Sequence, residues 1–311
     1  MTRILCTGGA GFLGSHFVDY LLKETDWQIT VWDSLNYSSH EAWRLRQINA
    51  FDSERFDFRK LDLADFIAEP MLFDFIVHLA AETHVDRSIK DARPFVLSNV
   101  VGTFNLLEYA RKIRGLKKFL FFSTDEVYGP ANGEPFTEWS AHNPSNPYAA
   151  TKSAAENLSM SWANTYGLPI VVSHCCNIFG ERQHEEKYIP ILVKAIRGGH
   201  RVGIHCDENG KPGSRMYVYA GDVARAISLL LDSGEVREKY NIPGREIDNE
   251  QMAVVVGLNL GMTVDYSYVQ PFQSRPGWDF RYSIGGENLQ KLGWEPTKDF
   301  AGLLKKTVEA L

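Results

Sequence analysis

Short apolar runs and longer amphipathic stretches alternate through the first half of the chain. Runs at 4–7, 28–33, 56–61, 75–80, 119–123 and 169–175 have the length and the branched or aromatic content of strands. Between them, 14–22, 93–112 and 148–166 carry apolar residues at helical spacing. Strands that are apolar on both faces and separated by helices predict a parallel sheet covered on each side. Beyond about Asn177 the rhythm loosens, and Asp207-Glu-Asn-Gly-Lys-Pro-Gly213 reads as loop. Helices are expected at 222–231, 251–260 and 301–311, with a short strand at 239–242. The pattern predicts an α/β fold, a doubly wound parallel sheet over 1–176 with a smaller C-terminal α/β lobe over 177–311. Residues of about 215–231 are expected to return to the larger domain.

With 311 residues, 44% hydrophobic and 23% charged, the chain can bury a sizeable core. Its net charge of -6, without a dense basic stripe, gives nucleic-acid binding no electrostatic support. A phosphorylated small molecule is compatible, since a helix N-terminus or a few local cations suffice to hold it. No apolar run approaches a membrane span, and Met1-Thr2-Arg3-Ile4-Leu5 enters a strand without a signal-peptide pattern. Cys6, Cys175, Cys176 and Cys206 show neither zinc-ligand spacing nor a disulfide framework, so a reduced, cytoplasmic protein is expected. His184-Glu185-Glu186-Lys187 is not a zinc helix, and His78, His84 and Asp86 form no coherent ligand set; no metal is expected.

Thr7-Gly-Gly-Ala-Gly-Phe-Leu-Gly14 joins the first expected strand to the first helix and places Gly8, Gly11 and Gly14 at GxxGxxG spacing. Gly8 permits a tight turn, Gly11 a close approach to a pyrophosphate, and Gly14 close packing of helix on sheet. Phe12 and Leu13 then lie at the helix N-terminus, whose free N–H groups suit phosphate. Asp33 ends the next strand, where a carboxylate accepts hydrogen bonds from ribose hydroxyls and repels a 2′-phosphate. The pattern is of Rossmann type and predicts NAD rather than NADP.

Tyr148 and Lys152 stand four residues apart at the start of a long helix, on one face. A nearby cation lowers a tyrosine pKa, which predicts Tyr148 as a base, and Lys152 can also reach a nicotinamide ribose. Ser123-Thr-Asp-Glu-Val-Tyr128 follows the apolar run 119–122. Side chains alternate along a strand, so Asp125 and Glu126 can share a cleft only just beyond the strand end.

These segments, with Leu79–Ile89, Asn99-Val-Val-Gly-Thr103, Arg275-Pro-Gly277 and Leu289–Pro296, together resemble the extended short-chain dehydrogenase/reductase family over nearly the whole chain. Within it they look like the nucleoside-diphosphate-sugar 4,6-dehydratases. The resemblance implies that Tyr148 and NAD oxidise C4 of a hexose, after which water leaves across C5 and C6 and C6 is reduced. It makes Glu126 the base at C5 and Asp125 the acid at the C6 hydroxyl, with Thr124 on the C4 oxygen. It places Asp62 and Leu63 beside adenine and Ala80, Ala81, Thr83 and Asn99 along the NAD groove. His84, Asn177, Lys187, Arg215, Asn241 and Tyr282 match positions that contact the sugar nucleotide. Helices 93–112 and 148–166 are implied to pair across a homodimer.

Residues 177–187 differ from the usual dTDP-glucose pattern, and Trp278 stands where histidine is common, so the nucleotide base and the sugar stay open. An NAD-dependent 4-epimerase would share Tyr148 and Lys152 but has no need of the 125–126 pair. A non-catalytic NAD-binding regulator would need none of the four.

Overall fold

Alternate apolar residues of the expected strands enter opposite faces of one sheet in the computed structural model, which describes residues 1–65, 67, 71–270 and 279–311. In chain order the elements are β1 (Arg3–Thr7), α1 (Phe12–Glu24), β2 (Gln28–Asp33), α2 (Trp43–Gln47), β3 (Phe56–Lys60) and β4 (Phe75–His78). Then come α3 (Val85–Lys90), α4 (Arg93–Phe95), α5 (Gly102–Ala110), β5 (Lys118–Thr124), α6 (Pro147–Tyr166) and β6 (Ile170–Cys175). The second half holds β7 (Asn177–Phe179), α7 (Tyr188–Arg197), β8 (Val202–His205), β9 (Ser214–Tyr219), α8 (Ala220–Ser233) and β10 (Lys239–Ile242). It ends with β11 (Arg245–Asp248), α9 (Asn249–Leu260), β12 (Tyr266–Val269), α10 (Glu287–Lys291) and α11 (Phe300–Ala310).

The large sheet has seven strands in the order β10-β6-β5-β4-β1-β2-β3, all parallel. On one face, Ile4, Val31, Val77 and Leu120 pack under Phe17 and Leu21 of α1 and Ile227 and Leu230 of α8. On the other, Leu5, Ile76, Phe119 and Phe121 pack under Leu106 and Leu107 of α5 and Ala155 and Ala163 of α6. Strand order reverses between β1 and β4, which opens a crevice beyond their C-terminal ends. A separate core joins Leu192 and Ile196 of α7, Met252 and Val256 of α9, and Leu304 and Val308 of α11.

Two expectations change. The helix expected over 93–112 is one helical run with a π segment at Val96–Val101 between α4 and α5. This segment turns Asn99 inward, where it is buried. The strand at 239–242 does not belong to the smaller lobe: β10 extends the large sheet beside β6. Finally, the stretch after Asn177, where the rhythm loosens, also contains α7 and the short strands β7, β8, β9, β11 and β12, for which the pattern carries no individual expectation. These form a three-stranded sheet, β11-β9-β7, and a two-stranded one, β12-β8. Such short strands pair with partners far away in sequence and carry little local signal.

Candidate active site

The glycine turn follows β1 at the crevice. Gly8 has a φ of +71°, and a Cβ there would lie 2.6 Å from the Ala80 nitrogen, so the turn tolerates no side chain. A Cβ on Gly14 would lie 2.1 Å from the Gly8 carbonyl oxygen. Its absence therefore lets α1 close on the turn itself. The close approach to the sheet expected of Gly14 belongs to Gly9, whose Cβ would meet Val31 at 2.6 Å. Helix α1 has no side-chain cap, which leaves its first-turn N–H groups for an anion.

Asp33 is buried at the end of β2. Its Oδ2 accepts from Ala10 N at 3.0 Å, and its Oδ1 from Leu35 N and Ser39 Oγ, both at 2.9 Å. Burial raises its pKa, and these hydrogen bonds oppose the rise. A carboxylate offers about four acceptor positions, so this one retains capacity for about one ribose hydroxyl rather than the full pair expected. The bare glycine turn, the open helix N-terminus and this acceptor fit a dinucleotide.

The crevice is a cavity of about 610 Å³. The glycine turn, Phe12, Leu13, Asp33, Asp62, Leu63, Ala80, Ala81 and Thr83 line its cofactor end. Thr124, Glu126, Tyr148 and Lys152 line its middle, and His84, Asn177, Lys187, Arg215 and Tyr282 its outer part. Three of the expected site residues do not line it. Asn99 lies behind the wall: it donates to the Glu82 carbonyl and Thr151 Oγ1, both at 3.0 Å, and accepts from Glu82 N at 2.8 Å. It holds the groove-lining loop rather than facing the groove. Asn241 is fully buried on β10, where it donates to the Phe136 carbonyl at 3.2 Å and accepts from the Tyr128 hydroxyl at 3.4 Å. Strand pairing beside β6 turns it into the core, away from the ligand space. Asp125, the third, sits behind Thr124.

Helix α6 begins where its sequence says it should. Asn146 caps it by accepting from Ala149 N at 2.9 Å, Pro147 follows, and Gly167 ends it in the left-handed region. Asn146 also donates to Glu126 Oε2 at 3.1 Å, so the cap aligns the helix with the carboxylate. Thr124 caps the 3₁₀ turn Asp125–Tyr128 and puts the two carboxylates just beyond the strand end.

The electrostatics of the pair Tyr148 and Lys152 differ from the expectation. Lys152 Nζ donates to the Phe122 carbonyl at 2.7 Å and lies 4.5 Å from the Phe121 ring centroid. Burial lowers its pKa to about 8, with Glu156 opposing. Burial and then the charge of Glu126 push the Tyr148 pKa above its ordinary value, so the phenol is neutral here. Burial and the neighbouring Glu126 raise Asp125 to about 8, and its Oδ2 has no hydrogen-bond partner among the described residues. Its Oδ1 accepts from Thr124 Oγ1 at 3.3 Å.

At the outer end, Arg215 donates to the Asp279 carbonyl at 2.7 Å, with its guanidinium 4.5 Å from the centroid of the Tyr282 ring. The Tyr282 hydroxyl donates to the Asp279 carboxylate and lies 3.5 Å from Glu126 Oε2. Lys187 Nζ donates to the Thr83 carbonyl at 3.2 Å. Arg275-Pro-Gly277 and Trp278 lie outside the described residues. Sequence reasoning missed Asn146, Asp279 and an ion pair in which Arg87 Nε donates to Glu186 Oε1 at 2.8 Å. The N-cap pattern at Asn146 could have revealed the first; the other two pair residues far apart in sequence. All four cysteines are buried and unpaired, with Cys175 and Cys176 on the cavity wall. Among the described residues no helix is long and apolar enough to cross a membrane.

Known proteins share this fold. The dTDP-glucose 4,6-dehydratase of Streptomyces niveus is 39% identical over 99% of this chain and 92% of that protein. DesIV of Streptomyces venezuelae, a dTDP-glucose 4,6-dehydratase solved with NAD bound, superposes with a TM-score of 0.88 at 35% identity, covering 99% of this chain and 96% of its own. The UDP-glucuronic acid 4-epimerase of Bacillus cereus superposes with a TM-score of 0.90 at 25% identity, covering 99% and 98%. Residues 4–243 match the model of the NAD dependent epimerase/dehydratase family. The chain belongs to that family, the extended short-chain dehydrogenases/reductases.

Proposed function

We propose that this chain is an NAD-dependent nucleoside-diphosphate-hexose 4,6-dehydratase, with dTDP-glucose as its substrate. One observation carries the reading: at the end of β5, Asp125 is held protonated to about pH 8 while its neighbour Glu126 faces the cavity with Tyr148. Two carboxyl groups kept in different environments are what an elimination needs in its acid and its base. Fold similarity does not separate dehydratase from epimerase, since both overlay this chain closely. An epimerase has no use for the pair.

NAD, when bound along the glycine turn, supplies the hydride acceptor for C4 and the donor for C6. The chain's own residues handle the protons. Tyr148 is the base for the C4 hydroxyl once positive charge favours its phenolate, and Lys152 is the chain's source of that charge. The C4 ketone acidifies the proton at C5, which Glu126 removes. Asp125 protonates the departing C6 hydroxyl, its carboxyl group oriented by the Thr124 hydroxyl, which donates to its Oδ1 and itself lines the cavity wall. Lys187 and Arg215 offer cations for the diphosphate.

Residues 1–176 are the NAD-binding domain in this reading, and 177–311 mainly bind substrate, with α8 and β10 returning to the large domain, whereas β9, at the start of the 215–231 stretch expected to return, pairs in the three-stranded sheet. Val96, Leu97, Phe104 and Tyr166 are exposed on the helices over 93–110 and 147–166, which supports a homodimer through those helices. A cytoplasmic location fits a pathway that consumes nucleotide sugars.

Incubation with dTDP-, UDP-, CDP- and GDP-hexoses, read by NMR, tests the activity. A 4-keto-6-deoxy product supports it, an inverted C4 hydroxyl replaces it with epimerisation, and no turnover of any hexose overturns it.

A further inference from the structure

One helical turn beyond Lys152, α6 carries Glu156, whose side chain is 1% exposed. Four elements converge on it. Ser123 Oγ, from the end of β5, donates to Oε2 at 2.8 Å. His174 Nε2, from β6, meets the same oxygen at 2.9 Å. Lys239 Nζ, from β10, donates to Oε1 at 2.8 Å. His142 Nε2, from the segment before α6, lies 3.4 Å from Oε1. The other nitrogen of each ring is also engaged, His142 with Ser153 Oγ at 2.9 Å and His174 with the Tyr128 hydroxyl at 3.1 Å. Two imidazoles and a carboxylate are metal-ligating types, but the Lys239 ammonium already occupies the cation position on this carboxylate.

A buried charge needs a reason, because burial costs several kcal/mol even when the ion is paired. Here the carboxylate joins the two segments that carry the proposed chemistry. Ser123 immediately precedes Thr124, Asp125 and Glu126, and Lys152 lies one turn away on the same helix face. Lys152 is itself bonded to the Phe122 carbonyl. Successive residues of β5, Phe122 and Ser123, are thus tied to successive turns of α6.

We propose that Glu156 is a positioning residue that locks the strand end carrying Asp125 and Glu126 to the helix carrying Tyr148 and Lys152, and that supplies the counter-charge keeping Lys152 protonated, with Lys239 setting its strength. The proposal rests on the reading of Tyr148 and Lys152 as the oxidising pair. The titratable groups facing Lys152 are Glu156 and Tyr148 on α6 and His78 on β4. Those facing Glu156 are His142, His174, Lys239 and, more distantly, Lys152 and Tyr128. His78 is held neutral by burial, with a pKa of about 3. Glu156 is held ionised well below the usual carboxylate range, where His174 and His142 outweigh the cost of burial. It therefore acts on Lys152 as a fixed negative charge, and removing it lowers the Lys152 pKa.

Three variants test this: Glu156→Gln, Lys239→Met and the double variant. The Lys152 pKa is read directly by competitive acetylation with acetic anhydride across pH, quantified by peptide mass spectrometry. The pH profile of kcat/KM is recorded beside it, with NAD binding and thermal melting confirming the fold. In Glu156→Gln the Lys152 titration and the alkaline limb of the profile move to lower pH, by on the order of one unit. In Lys239→Met, where the carboxylate is less neutralised, the Lys152 titration moves to higher pH while the alkaline limb stays where Asp125 ionises, at about 8. The Lys152 titration of the double variant falls between those of the single variants. A purely structural network would reduce the amplitude without moving the titration. An unchanged Lys152 titration in folded Glu156→Gln and Lys239→Met would overturn the proposal; if Glu156→Gln does not fold, Lys239→Met decides alone. Acetylation needs no substrate, so a shifted titration in a protein without dehydratase activity rejects the activity and not the counter-charge.

Discussion

Lys152 donates its ammonium to the Phe122 carbonyl at 2.7 Å, not to the phenol one turn before it. The ammonium is therefore held by the strand that carries the carboxylate pair, over the Phe121 ring. Arginine cannot take this place, because its planar fork is wider than a point charge and does not fit a slot closed by a ring and one carbonyl. Lys152→Arg and Lys152→Met are both expected to slow C4 oxidation by about 10²–10⁴-fold. Reduced-nicotinamide absorbance in a single turnover measures this, and wild-type oxidation by Lys152→Arg would show that only the charge matters.

Glu126→Gln keeps the shape of the side chain and the contact with Asn146 but removes the base. Loss of the C5 hydrogen to solvent should slow by about 10²–10⁴-fold, while C4 oxidation and NAD binding persist. Deuterium incorporation at C5, followed by NMR, separates these steps. Undiminished exchange would remove Glu126 from the base role.

Asp125 carries a pH signature of its own. Its folded pKa, about 8, lies above the ordinary aspartate value of 3.8. Between those values the native state holds a proton that the unfolded chain has released, so this group makes stability fall as pH rises across that window. Asp125→Asn removes the penalty and should raise the melting temperature over wild type, by a margin that grows up to about pH 8. The same variant should lose elimination, and wild-type activity should decline as pH passes about 8 and the acid ionises. Melting curves across pH check the first claim and rate profiles the second.

The parts of the site that the sequence announces are those built from neighbours in sequence. The turn Gly8–Gly14, the Asp33 strand end, the four-residue step from Tyr148 to Lys152 and the adjacent Asp125 and Glu126 each follow from local geometry. What it conceals depends on distant partners. Asn241 stands on a recognisable strand, but its inward direction is set by β10 pairing with β6 and by Tyr128, 113 residues away. The Tyr148 pKa moves opposite to expectation because sequence shows the cation but not the burial, nor the carbonyl that takes it. Arg87 and Glu186 are 99 residues apart and have no local signature at all.

Glycine substitutions should separate the turn from the sheet. In Gly14→Ala the new methyl would meet the Gly8 carbonyl at 2.1 Å, and only a displacement of the turn relieves it. NAD affinity should fall at least about tenfold, equal to about 1.4 kcal/mol, as titration calorimetry would show. Gly9→Ala meets the Val31 side chain instead, and its first cost should be thermal stability, by about 1–3 kcal/mol of overpacking. Equal NAD affinity in wild type and Gly14→Ala would mean that the turn does not carry the pyrophosphate.

Asn241 and Arg215 offer the sharpest contrast between a buried residue and a cavity residue. Asn241 is fully buried, and its amide is spent on the Phe136 carbonyl and the Tyr128 hydroxyl. Its truncation in Asn241→Ala removes both bonds, but Gly285 N still donates to the Phe136 carbonyl and His174 Nδ1 still meets the Tyr128 hydroxyl. Each lost bond should therefore cost about 0.5–1.5 kcal/mol of stability, while KM for the sugar nucleotide stays near the wild-type value. Arg215 lines the cavity and braces the Asp279 carbonyl. Arg215→Lys keeps a charge but loses the fork that can hold a phosphate and a carbonyl together. It should raise KM at least about tenfold with little change in melting temperature. Chemical denaturation and steady-state kinetics on the two variants decide the matter. A raised KM in stable Asn241→Ala would return that residue to the substrate site, and an unchanged KM in Arg215→Lys would take the diphosphate away from Arg215.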